Sequence, residues 1–189
     1  MGKFLFQNRG WIPVLPILVA VATCRTFSFV TLAGLSLVPV GLFIRLWAIF
    51  HIGPAARSRK ITAPKLIYTG PYELSRNPLY IANIMIYTGI GISTHGVAAG
   101  AAVALLSSVY YSIITRYEES ELERRLGEAY RSYLNRVPRW LGESAPVHAA
   151  APKGSPEERM VSGLRAERST LGAAFLIICA VLLRSTIAG

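Results

Sequence analysis

The sequence contains no Asp, and its ten acidic residues are all Glu, confined between Glu73 and Glu167 and outside the long apolar runs. Charge of either sign is sparse: 16% of residues are charged against 52% hydrophobic. That balance excludes an ordinary soluble domain and makes a bilayer the expected solvent. Cysteine is scarce as well. Cys24 and Cys179 sit in or beside apolar segments, with no CxxC and no Cys/His cluster at ligand spacing, so neither a disulfide framework nor a metal site is expected. Also missing is a continuous basic face. The formal charge is +10, but Lys and Arg are divided among loops between apolar spans, a pattern that fits membrane topology and argues against a nucleic-acid partner.

What is present is a series of apolar runs. A bilayer span needs about 20 apolar residues, and five segments are candidates: 12–23, which is short and holds Pro13 and Pro16, then 27–50, 79–93, 97–114 and 171–183. The expectation is an all-α, polytopic membrane helical bundle of about five transmembrane helices with a cytoplasmic helical C-terminal region. Lys3 and Arg9 ahead of an apolar stretch resemble a signal peptide in outline, but a second apolar run follows at once, so the segment is read as retained.

Orientation follows from the cations, because cytoplasmic loops keep positive charge. With the N-terminus inside, Lys3, Arg9, Arg57, Arg59, Lys60, Lys65, Arg76 and the stretch from Arg116 to Arg168 are cytoplasmic, and only Arg25 and Arg184 fall outside. Residues 1–189 read as one membrane domain: a first helical hairpin over 11–51, a cytoplasmic connector over 52–77, a core over 78–140, a cytoplasmic linker over 141–169 and a hydrophobic helix over 170–188. Glu118 to Tyr133 carries a helical pattern that continues span four into the cytoplasm, with Glu121 and Arg125 at i,i+4 spacing.

Two polar segments hold the residues able to do chemistry. The connector ends in Thr69-Gly70-Pro71-Tyr72 and Arg76-Asn77-Pro78-Leu79-Tyr80, where Gly-Pro makes a turn and Pro78 suits the first turn of a helix. Arg76 and the tyrosines are thus held at the mouth of span three, either to meet lipid headgroups as an interfacial belt or to line a site. The second segment is Glu118-Glu119, Leu122, Gly127, Tyr130, Tyr133 and Val137-Pro138-Arg139. Its glutamates make either a solvated face or acceptors for a cation or a ribose, and Arg139 suits an anionic group.

In this order, and together with Arg45-Leu46-Trp47-Ala48 and Gly53, these pieces resemble the isoprenylcysteine carboxyl methyltransferase and phospholipid methyltransferase family over roughly residues 41–140. The resemblance implies a membrane bundle that binds S-adenosylmethionine at its cytoplasmic face, with residues 78–140 as the cofactor-binding core. It would methylate a carboxylate or amine of a lipid-like or prenylated amphiphile arriving through the bilayer. On this reading Arg76 and Glu119 lie nearest the reacting end and Tyr72, Asn77, Pro78, Tyr80, Glu118, Tyr130 and Arg139 surround the cofactor, while Arg45, in its family-like Arg-x-Trp-Ala context, and His51, at the inner end of span two, are placed towards the substrate. The family motif usually reads Arg-His-Pro. Asn77 stands where the His would be, so a hydrogen-bonding role is retained there and a proton-accepting one is not. Two rival readings remain: a non-catalytic protein binding anionic lipid or a partner through Arg124, Arg125, Arg131 and Arg136, and a sterol-reductase-like membrane enzyme.

Overall fold

The computed structural model describes residues 1–52, 66, 69–142 and 155–187. The connector cations Arg57, Arg59, Lys60 and Lys65, together with Gly53, Tyr68 and the linker around His148, lie outside the described residues. Every regular element among those described is helical: α1 (Gly2–Asn8), α2 (Val14–Ala22), α3 (Phe29–Ile52), α4 (Pro71–Leu74), α5 (Pro78–His95), α6 (Val97–Leu126), α7 (Glu128–Arg136) and α8 (Pro156–Ile187).

Three of these helices, α3, α6 and α8, are long and apolar enough to cross a bilayer, so this is an integral membrane protein of the expected all-helical class. The expectation of five spans is met only in part. Residues 12–23 yield the nine-residue α2, which at 1.5 Å per residue covers about half of a hydrocarbon core. The run at 171–183 is the apolar half of a 32-residue helix that already begins at Pro156, inside the segment expected to be linker. Helix α5 has 18 residues but carries Asn83, Thr88, Ser93, Thr94 and His95, so it is less apolar than its neighbours. It tolerates this polarity because it is the central helix, packed against α2, α3, α6 and α8.

Lipid is as apolar as leucine, so close packing and hydrogen bonds, more than hydrophobic burial, must hold such a bundle together. The α3–α5 contact shows how. A Cβ on Gly34 would lie 2.5 Å from the backbone nitrogen of Ser93, and one on Gly89 would lie 2.7 Å from the Gly34 carbonyl oxygen. The two backbones therefore touch directly. Helix α8 runs antiparallel to α3 along a stripe. Arg159 covers the Phe50 ring at 4.7 Å, Gly163 faces Ile49, Ala174 joins Val38, and Val181 joins Leu35 and Cys24.

The hairpin turn at Gly96 makes α5 and α6 antiparallel, which sorts the chain ends. The C-terminal ends of α3 and α6 and the N-terminal ends of α5 and α8 share one end of the bundle. Gly2 packs on Tyr117 near that end, while Thr23 meets His95 at the other. Arg25 and Arg184 also lie at the other end, where the Arg25 amide donates to the Thr94 carbonyl and Arg184 Nη2 donates to the Ala22 carbonyl.

Candidate functional site

Two breaks in the helical pattern build the site. At the first, Gly70 adopts φ +61°, a conformation costly for residues with a Cβ. A Cβ there would also lie 2.5 Å from the His51 ring. The Glu73 carboxylate reaches back to accept the Gly70 N–H at 3.0 Å, which caps α4. Pro71 and Pro78 each open a short or long helix where a missing N–H costs nothing. At the second break, Gly127 at φ +56° ends α6 and turns the chain into α7, so the helix expected over 118–133 is two helices, because the left-handed glycine cannot continue the α-helical backbone. The segment after α7 then folds back onto the bundle.

That return stitches the two motif segments together. The Arg76 amide donates to the Pro138 carbonyl at 3.0 Å. The Arg139 carbonyl accepts from Ser75 Oγ at 3.2 Å and from Asn77 Nδ2 at 3.1 Å, and Tyr133 donates its hydroxyl to the Tyr72 carbonyl at 2.7 Å.

Glu119, buried on α6, is the centre of the cluster. Its Oε2 accepts from Arg139 Nη2 at 2.7 Å and Nε at 3.0 Å. Its Oε1 accepts from Asn77 Nδ2 at 3.4 Å and lies 3.6 Å from Arg76 Nη1. A carboxylate so surrounded by donors is a brace for two guanidinium groups; its hydrogen-bond acceptor sites are already taken. One residue earlier, Glu118 accepts the Tyr80 hydroxyl at 2.8 Å. The Tyr80 ring in turn stacks on Tyr111, centroids 4.7 Å apart.

Burial pushes the phenols of Tyr72, Tyr130 and Tyr133 above the ordinary tyrosine value, with the carboxylates of Glu118 or Glu119 adding to the effect. These three are therefore neutral hydroxyls at physiological pH. Hydrogen bonding to Glu119 raises the Arg139 guanidinium, which stays charged.

Three buried polar atoms in this region, Thr69 Oγ1, the Tyr72 hydroxyl and Arg76 Nε, have no protein partner among the described residues. Buried polar atoms are normally satisfied, so a guanidinium N–H and two hydroxyls here have unused hydrogen-bonding capacity. Among the described residues, no three His, Cys, Asp or Glu side chains group as metal ligands.

Of the residues singled out from the sequence, Tyr72, Arg76, Asn77, Tyr80, Glu118, Glu119, Tyr130 and Arg139 fall in this one region, with Pro78 buried at the start of α5. Arg45 and His51 do not join the Glu119 cluster. His51 bonds the Trp47 carbonyl at 2.9 Å through Nδ1 and packs on Gly70. Arg45 holds Glu167 of α8 at 2.9 and 3.0 Å and also donates to Asn83 Oδ1. Asn83 donates to the Tyr111 hydroxyl at 2.9 Å.

Glu167, Asn83 and Tyr111 were not singled out from the sequence. Asn83 was the legible one, as an amide in the middle of an apolar run. Glu167 is buried with its side chain 1% exposed. Removing one partner of such a pair costs about 3–5 kcal/mol.

Compared with known proteins, residues 29–129 match the family model described as phospholipid methyltransferase. The chain is 33% identical over 109 residues to the nickel-cobalt-cadmium resistance protein NccN of Alcaligenes xylosoxydans xylosoxydans, covering 58% of this chain and 46% of that protein. It is 32% identical over 105 residues to the cobalt-zinc-cadmium resistance protein CzcN of Cupriavidus metallidurans, covering 56% and 44%. The chain thus spans less than half the length of these curated relatives. No solved structure matches.

Proposed function

Because this chain belongs to the phospholipid methyltransferase family, we propose that it is an S-adenosylmethionine-dependent membrane methyltransferase acting on a carboxylate or amine of a lipid-like or isoprenoid amphiphile. The observation that carries the reading is the brace at Glu119. It gathers Arg76, Asn77 and Arg139 beside Tyr80–Glu118 and leaves Arg76 Nε and the Tyr72 hydroxyl for a ligand.

These residues fit the cofactor group by group. Arg76, with Arg139 next to it, suits the carboxylate of an amino acid moiety. Glu118 and the Tyr72 hydroxyl suit an amino group or ribose hydroxyls. When bound, S-adenosylmethionine supplies a methyl group on a sulfonium, which an aligned nucleophile takes by in-line displacement. Such a transfer depends on alignment and dryness more than on a strong acid. The chain supplies both: Glu119 fixes the two arginines, and neutral, buried Tyr130 and Tyr133 exclude water. Asn77 contributes as a donor to Glu119 and to the Arg139 backbone; its amide takes up no proton.

The site faces the cytoplasm in this reading, because Lys3, Arg9, Arg116, Arg124, Arg125, Arg131, Arg136 and Arg139 gather towards its end of the bundle while Arg25 and Arg184 lie at the other. Phe43, Leu105, Leu106 and Phe175 turn outward, as lipid-facing side chains would. The amphiphile would enter from the bilayer with its tail in lipid. A purely lipid-binding protein is less well supported. Arg124 and Arg125 share Glu121, and Arg131 bonds Glu123 and Glu128, so much of the basic surface is neutralised on its own helices.

Calorimetry of the purified protein in lipid nanodiscs with S-adenosylmethionine tests the reading. Saturable binding to the wild type is expected, and its absence in both lipid and detergent would remove the enzymatic interpretation.

A further inference from the structure

Charge inside a membrane span is rare and, where found, is paired and put to use. Arg45 is the only Lys or Arg in α3, about two turns, or ~10 Å, from the C-terminal end of that helix. Its partner Glu167 comes from α8, beyond the 29–129 segment shared with the family. A buried ion pair seldom adds net stability over apolar packing, so the arrangement calls for another explanation, and the bonding pattern supplies one.

A guanidinium only donates. Arg45 therefore obliges Asn83 to present its oxygen, which leaves the Asn83 amide nitrogen to donate to the Tyr111 hydroxyl at 2.9 Å. Accepting from Asn83 on one side, Tyr111 donates its own proton to the Tyr87 hydroxyl at 3.4 Å on the other. The fully buried Tyr111 ring is thereby held at its polar tip, and its face carries the Tyr80 ring at 4.7 Å. Tyr80 then donates to Glu118 at 2.8 Å. From Glu167 to Glu118 the chain of contacts is unbroken, and its direction is set by the charge of Arg45.

We propose that Glu167 is a positioning residue of the methyl-transfer site: by fixing Arg45 it fixes Asn83 and Tyr111, and so the platform from which Tyr80 holds Glu118. The inference rests on the functional reading above for its consequence in cofactor binding, but not for the geometry of the tyrosines. Helix α8 is on this view part of the site, although it lies outside the shared segment.

Exchanging the charges, Arg45→Glu with Glu167→Arg, preserves an ion pair between α3 and α8 but places an acceptor against Asn83. The Asn83 amide must then turn round, and Tyr111 must give its proton to Asn83 instead of Tyr87. The full-length exchanged protein in nanodiscs is expected to unfold near the wild-type temperature, yet to show displaced Cζ resonances for Tyr111 and Tyr80 after carbon-13 tyrosine labelling. Its S-adenosylmethionine affinity is expected to fall five- to tenfold.

Wild-type resonances and affinity in a folded exchanged protein overturn the proposal, since a mere docking clasp is restored by the exchange. Should the exchanged protein not fold, Glu167→Gln replaces it. That side chain fills the same space but no longer offers Arg45 a two-oxygen anionic partner; the same displacement is expected, and unchanged spectra and affinity overturn the proposal. If the wild type itself binds no S-adenosylmethionine, the functional reading falls, while the resonances still decide the role of Glu167.

Discussion

Arg139 grips Glu119 through two nitrogens, Nε at 3.0 Å and Nη2 at 2.7 Å, across twenty residues of sequence and the break at Gly127. This contact ties the segment after α7 to the end of α6, and Arg76 and Asn77 converge on the same carboxylate. Glu119→Ala or Arg76→Ala should therefore weaken S-adenosylmethionine binding at least tenfold, about 1.4 kcal/mol. Titration calorimetry on folded variants checks this, and wild-type affinity in both would refute the site assignment.

Tyr80 has two separable contacts, a ring stacked on Tyr111 and a hydroxyl donated to Glu118. Tyr80→Phe keeps the first and removes the second. Hydrogen bonds to charged groups contribute about 1.5–3 kcal/mol, so the thermal unfolding temperature should fall, and cofactor affinity should drop on the order of tenfold as Glu118 loses the donor that fixes it. A variant that binds as the wild type does would show that Glu118 needs no donor from α5.

The touching backbones of α3 and α5 leave no room for a side chain at Gly34. Gly34→Val should lower the unfolding temperature clearly, since overpacking costs about 1–3 kcal/mol even where side chains can yield. Gly172→Ala on α8, where a Cβ meets nothing within 4 Å, should leave it unchanged or raise it. Equal stability of the two variants in a detergent melt would contradict the packing described.

Tyr72, Tyr130 and Tyr133 keep their protons in the folded protein to higher pH than in the unfolded chain, whose tyrosines titrate near 10. The sign follows: the folded state binds more protons above that pH, so stability is unaffected at neutrality and declines as pH rises past 10. Ultraviolet titration should show part of the phenolate signal appearing only with unfolding. Full ionisation of all tyrosines before any loss of helicity would disprove the burial of these three.

Orientation is open to a labelling experiment in a background with Cys24→Ser and Cys179→Ser. Ser132→Cys on α7 and Val97→Cys at the start of α6 are both exposed and lie towards opposite ends of the bundle. A membrane-impermeant maleimide applied to intact cells should modify the Val97 variant and spare the Ser132 variant until the membrane is opened. The reverse pattern would invert the proposed topology.

Much of the site could be read from the chain because its parts are local. Gly70-Pro71 and Asn77-Pro78 each mark a turn by backbone chemistry alone, and Arg76, Glu118 and Arg139 sit in segments of recognisable order, whereas the helical pattern over 118–133 hides the break at Gly127. What stayed hidden depends on distance. Glu167 lies in a stretch with the composition of a linker, and its partner Arg45 is 122 residues away, so nothing near either residue announces the other. Residues 12–23 differ for another reason: the run is apolar enough for the membrane, but Pro13 and the turns before it keep α1 and α2 as separate short helices. For α5 the apolar run is plain in the sequence, yet its polar residues gain sense only once neighbours surround them.

The placement of α5 also bears on how the protein is made. A segment with an amide and several hydroxyls in its middle partitions into lipid reluctantly when it is alone. Its tight turn into α6, whose apolar stretch is ample, lets the two enter together, the second helix drawing in the first. Biogenesis of this protein is therefore expected to proceed by paired entry of a hairpin, with the polar core sealed as α3 and α8 close around it.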